Sequence, residues 1–118
     1  MYICVSILNQ MPMDALEDYN AYRQKMNKKL LGTNDKVIKK IFNTDANAYK
    51  EGALFVKTKE ILGLVTSMVL RCGDCIKYHL IKCFENRFAR EELFAVFGIV
   101  NLVEGIIVIH HTRRTLEL

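Results

Sequence analysis

Apolar residues along this chain recur at intervals of three and four and nowhere alternate with polar residues over a strand length, which predicts helices throughout. Met13, Leu16, Tyr19, Met26 and Leu30 form the first stripe, with Asp14 and Glu17 near its start, where a helix dipole favours negative charge. Gly32, Thr33 and Asn34 stop it, and Asn34 is placed to cap a second, short helix. That helix is expected to bury Val37, Ile38, Ile41 and Phe42, to leave Lys36, Lys39 and Lys40 in water, and to end at Asn43. Residues 44–57 mix Asp45, Asn47 and Gly52 with scattered apolar positions and read as a loop, with one helical turn over residues 46–49. The Thr58 hydroxyl is placed to cap a helix through Glu60, Ile61, Leu64, Val65, Met68 and Val69. Arg71, Cys72, Gly73 and Asp74 break that pattern, and a fresh helix starting near Cys72 carries Ile76, Leu80 and Phe84 to about Asn86. Arg90, Glu91 and Glu92 then open a long last helix with Leu93, Phe94, Phe97, Val100, Leu102, Ile106 and Ile109, in which Gly98 and Gly105 are candidate bend points. The fold class is therefore all-α.

Length and composition narrow this picture. A chain of 118 residues that is 51% hydrophobic can close one core but is short for two ordinary domains, so residues 1–118 are expected to form a single domain. Residues 1–12 precede the amphipathic pattern and read either as an upstream extension or as an apolar arm for a neighbouring subunit; the mass of the native protein separates the two. A formal net charge of +4, carried by dispersed lysines, does not imply a nucleic-acid partner. The most apolar runs, residues 61–70 and 94–109, fall short of the roughly 20 residues that a bilayer requires, and the second holds Asn101 and Glu104, so no membrane span is expected. The opening residues lack a basic segment and a small-residue cleavage site, which favours a cytoplasmic setting. In such a reducing compartment a close cysteine pair reads as redox-active or metal-binding rather than as a structural staple.

Cys72-Gly73-Asp74-Cys75 is that pair, and its place at a helix start matters. Unpaired N–H groups and the helix dipole favour a thiolate there, lowering the thiol pKa from its usual value of about 8.5. His79 follows Cys75 by one helical turn, on the same face, where an imidazole can take and return a proton. If the chain reverses near residues 70–73, Glu60 lies about 15 Å back along one helix and His79 about 9 Å forward along the next, at about 1.5 Å per residue. The two are then level to within about one turn, and the carboxylate orients the ring. The expected order is Glu60, His79, Cys75, Cys72, with Cys72 the more exposed thiol.

Glu60 followed after eleven residues by Cys72, after two more by Cys75 and after three more by His79 resembles the signature of the carboxymuconolactone decarboxylase and alkylhydroperoxidase D superfamily. Gly52-Ala-Leu54, Lys57-Thr-Lys-Glu-Ile-Leu-Gly63 and Leu70-Arg-Cys-Gly-Asp-Cys-Ile-Lys-Tyr-His79 extend the similarity, which covers about residues 14–117. The resemblance implies an alkylhydroperoxidase D-like helical bundle with the Cys pair at the N-terminus of a central helix, assembled as a homo-oligomer, a trimer or hexamer. It implies the thiol branch of the family: a peroxiredoxin-like antioxidant enzyme that reduces hydroperoxides or exchanges disulfides through a Cys72–Cys75 disulfide. Glu60 and His79 would be its proton relay, and a thioredoxin-like or lipoylated protein its reductant. Asp74 stands where some relatives carry a histidine, which argues against strong peroxidase activity.

Each feature has a plainer alternative. Cys72, Cys75 and His79 with Glu60 or His110 would make a metal set, although a lone CxxC without a second one or a His pair at finger spacing is a weak zinc signal, and no metal or cofactor is expected. A haem attachment is excluded because Ile76 follows Cys75. Cys83, a turn beyond His79, reads as core filling or as a third thiol, Cys4 as incidental, and His110 and His111 as a solvated helix end. The competing functional readings are an oligomeric module that binds a small ligand or metal without redox turnover, and a lactone decarboxylase, a lyase whose site is built without these cysteines.

Overall fold

The computed structural model describes residues 13–118, and the question raised by residues 1–12 lies outside them. Among the described residues there are five helices and no strand: α1 (Met13–Gly32), α2 (Lys36–Ala48), α3 (Val56–Val69), α4 (Gly73–Glu85) and α5 (Arg90–Thr115). The all-α class and the Cys pair at the start of a central helix are as expected.

The hairpin of α3 and α4 is the centre of the molecule. Two opposed helices meet here because the chain reverses in a Schellman turn. The Cys72 N–H donates to the Ser67 carbonyl and the Arg71 N–H to the Met68 carbonyl, with Arg71 at φ 57°. The same device ends α4, where Phe88 N–H reaches the Cys83 carbonyl, Arg87 N–H reaches Phe84, and Arg87 sits at φ 59°. Phe88 is thereby turned inward and joins Leu64, Cys83 and Leu93 in a buried cluster, against which Ile61, Met68, Ile76, Leu80, Phe84 and Phe97 pack. α1 lies on α4 through aromatic and cationic contacts, with the Arg23 guanidinium 4.1 Å from the centre of the Tyr78 ring. The start of α5 is held to α3 by the Lys57–Glu92 pair at 3.4 Å, and Glu92 also accepts the Ala89 N–H at 2.7 Å, closing the helix's first turn.

Several boundaries differ from the sequence expectation. The cap of α2 is Asp35, whose carboxylate accepts the N–H groups of Val37 and Ile38 at 2.9 Å; Asn34 instead takes a left-handed φ of 60°. Asn43 does not end α2, which continues to Ala48, so the expected loop shrinks to the connection after it. The reason is tertiary: the Lys59 ammonium donates to the Ala48 carbonyl at 2.8 Å and the Lys50 carbonyl at 2.6 Å, satisfying the helix's last acceptors. α3 starts at Val56 with Phe55 at the cap position, which leaves Thr58 inside its first turn and not at its cap. Nor does α2 bury its apolar stripe, because the other described helices leave much of it uncovered: Val37 is 67% and Ile41 58% exposed, while Ile38 and Phe42 are half-buried.

α5 is the largest departure. It runs through Gly98 and Gly105 without a break, and every residue from Asn101 onward is exposed, including Leu102, Val103, Ile106, Ile107, Val108 and Ile109. The expectation about membrane spans rests on the shortness of the apolar run and on Asn101 and Glu104 within it. The helix that carries it is 26 residues long and, by length and composition, apolar enough to cross a bilayer.

Candidate functional site

α3 and α4 bring the predicted residues to one place. Glu60 lies in the second turn of α3 and His79 midway along α4, both buried, and His79 Nδ1 is 3.0 Å from Glu60 Oε2. An ionised carboxylate only accepts, so Nδ1 carries the hydrogen and Nε2 is the nitrogen left for other work. The approach is this close because α3 has no side chain beneath the ring. A Cβ on Gly63 would stand 2.5 Å from His79 Cε1, so only glycine lets the imidazole lie against the helix backbone. The antiparallel register anticipated for Glu60 and His79 is therefore present.

Cys72 is the N-cap of α4, and its sulfur accepts the Cys75 N–H at 3.3 Å. The two sulfurs are bonded to each other, with Cα atoms 5.2 Å apart. Cys72 is half-buried and Cys75 exposed, the reverse of the expected order, because the capping sulfur is turned back over the first turn of the helix while Cys75 faces outward. Both cysteines, with His79, line an open cleft of about 420 Å³ whose walls include Gly63, Thr66, Ser67 and Leu70; Glu60 stands behind His79.

The sequence reading missed Tyr49. At the C-terminal end of α2, its hydroxyl lies 3.3 Å from His79 Nε2 and its ring 5.3 Å from the imidazole, in the wall of the same cleft. Among the described residues no hydrogen bond joins His79 to either sulfur, and the ring nitrogen not taken by Glu60 meets the Tyr49 hydroxyl instead. Burial, followed by the negative charges of Glu60 and Asp45, raises the Tyr49 pKa above its usual 10, so the hydroxyl keeps its proton and is a donor toward Nε2 when the ring is neutral. No periodicity marks Tyr49 in the sequence, since its position depends on how the connection after α2 folds back.

Cys83 is fully buried, and the loss of water together with the charge of Glu60 pushes its thiol up to about 12. It is core filling, not a third reactive thiol. His110 and His111 lie on the exposed end of α5 and are not among the residues lining the cleft; the His110 ring is 3.2 Å from the Arg113 guanidinium. Among the described residues no group of three or more His, Cys, Asp and Glu side chains is gathered as a metal set.

Two crystal structures of a Thermotoga maritima protein are similar to this chain, both at 42% identity. One superposes with a TM-score of 0.71 over 86% of this chain and 89% of that one, the other with 0.69 over 85% of each. That protein is described as a carboxymuconolactone decarboxylase family protein with a suggested involvement in the antioxidative response. Among curated proteins none matches the chain. Residues 36–117, which span α2 to the end of α5 and every side chain of the cleft, match the carboxymuconolactone decarboxylase family, and the chain belongs to that family.

Proposed function

We propose that this protein is a thiol-dependent antioxidant oxidoreductase, reducing hydroperoxides or exchanging disulfides through Cys72 and Cys75. The observation that carries the reading is the pairing of these two sulfurs at a helix N-terminus, in a cleft backed by the buried Glu60–His79 pair. At that position the thiolate gains from the helix's free N–H groups and its dipole. The suggested antioxidative involvement of the Thermotoga maritima protein supports the same class.

The cycle balances with a hydroperoxide as oxidant and an external dithiol as reductant. One cysteine thiolate attacks a peroxide oxygen, the O–O bond breaks, and the departing alkoxide takes a proton to leave as alcohol. The resulting sulfenic acid condenses with the second thiol, expelling water and forming the Cys72–Cys75 disulfide. A dithiol reductant, of the thioredoxin-like or lipoylated kind that the resemblance implies, returns both sulfurs to thiols by exchange. Glu60 and His79 supply and collect the protons, the carboxylate stabilising the imidazolium as it forms. The apolar faces left open on α2 and α5 support self-association as part of this reading.

The test is a count of free thiols before and after a hydroperoxide is added to the reduced protein, with a disulfide map. Stoichiometric loss of two thiols with a Cys72–Cys75 product, and loss of turnover in Cys72→Ser and Cys75→Ser, is the expected result. Peroxide or disulfide consumption that ignores thiol blocking refutes the proposal.

A further inference from the structure

We infer that the Tyr49 hydroxyl carries the proton between His79 and the cysteine pair, and that Lys59 is the positioning residue that holds it there; the inference rests on the redox reading above. His79 has one nitrogen fixed on Glu60, so any proton it exchanges with the cleft passes through Nε2. The partner of Nε2 is the Tyr49 hydroxyl, and Tyr49, Cys72 and Cys75 share the cleft wall. A phenol suits the task because one oxygen both donates and accepts.

The transfer is concerted. A cysteine S–H gives its proton to the phenol oxygen as the phenol O–H gives its own to Nε2, leaving a thiolate, a neutral tyrosine and an imidazolium held by the Glu60 carboxylate. Run backward, the same steps reprotonate a thiolate released when the disulfide is reduced. No tyrosinate accumulates, which agrees with a hydroxyl that burial keeps protonated.

Lys59 explains how a side chain at a helix end is fixed accurately. Its ammonium donates to the carbonyls of Ala48 and Lys50, the residues on either side of Tyr49, at 2.8 and 2.6 Å. It also adjoins Glu60 in sequence, so the same turn of α3 carries the relay's carboxylate and the clamp on its phenol.

Two variants test this on the reduced full-length protein, with iodoacetamide alkylation followed against pH. In Tyr49→Phe the ring stays and the relay oxygen goes, and with it the O–H that the thiolate accepts once the proton has passed, so the thiol ionises less readily. Alkylation near neutral pH is expected to fall by about tenfold, with the variant and wild-type profiles converging at alkaline pH, where bulk hydroxide ionises the thiols. Lys59→Met, which spares the phenol, should shift the profile in the same direction by less. A Tyr49→Phe profile that superposes on wild type, or that is lowered equally at every pH, overturns the relay; a wild-type profile in Lys59→Met overturns the clamp. Alkylation reports the thiols whatever their oxidant, so these outcomes are separate from the hydroperoxide assay: a wild-type protein that alkylates normally yet consumes no peroxide or disulfide refutes the function and not the relay.

Discussion

Gly63 shows how much of the site depends on an absent side chain. A methyl group there would meet three atoms of the His79 ring within 2.8 Å, and the ring cannot retreat without giving up Glu60. Gly63→Ala is therefore expected to lower stability by about 1–3 kcal/mol through overpacking and to lower thiol-dependent turnover by about a hundredfold through misplacement of the imidazole. Urea unfolding and steady-state assay check the two separately. Cys83, two turns from the active pair, gives a pH prediction. The unfolded thiol ionises near pH 9 while the folded one resists to about 12, so the folded state keeps a proton that the unfolded chain gives up. Stability is intact below about pH 9 and declines as pH rises through that interval; in Cys83→Ala the slope of stability against pH should be shallower, whatever the absolute loss from the cavity. At this scale Glu60, Cys72, Cys75 and His79 were legible because helix rise and spacing are properties of the sequence itself. Tyr49 was not, because its approach to His79 depends on how the connection after α2 folds back, which spacing does not specify.

At the scale of elements, the two turns that build the α3–α4–α5 core place arginines in the left-handed region. An L-residue pays about 1 kcal/mol there relative to glycine, partly offset by glycine's greater freedom in the unfolded chain. Arg71→Gly should raise the unfolding free energy by about 0.5 kcal/mol, and Arg71→Val, with a branched Cβ, should lower it by about 1 kcal/mol or more; denaturant midpoints read both. The order and number of helices could be read from apolar spacing, whereas their ends could not. Asn34 and Thr58 both looked like caps, but a cap is chosen by backbone conformation as well as by side-chain chemistry. Asp35 has the extended backbone a cap needs, and Asn34 does not. Asn43 resembles a stop signal, yet α2 passes through it because a lysine from another helix satisfies the carbonyls farther on.

The whole molecule keeps little of its apolar surface from water. With 51% of its residues hydrophobic, the buried apolar side chains among those described are Leu64, Cys83, Phe88, Leu93 and Val100. A periodic stripe announces that a face is apolar but not what covers it, which is why Val37 and Ile41 were expected inside and are found outside. A surface of this kind favours association between copies. A double substitution on α5, Val103→Lys with Ile107→Glu, is expected to reduce the mass found by light scattering toward the 13.6 kDa of one chain while leaving iodoacetamide reactivity at the cleft within about twofold; an unchanged monomeric mass for the wild type would remove this expectation. The two halves of α5 thus carry separate obligations. Up to Val100 the helix is a wall of the core; past it the same rod is exposed along its whole length and lines no part of the cleft. Size, stickiness and choice of neighbour are thus written along an outer segment that is separate, within one chain, from the residues that handle sulfur.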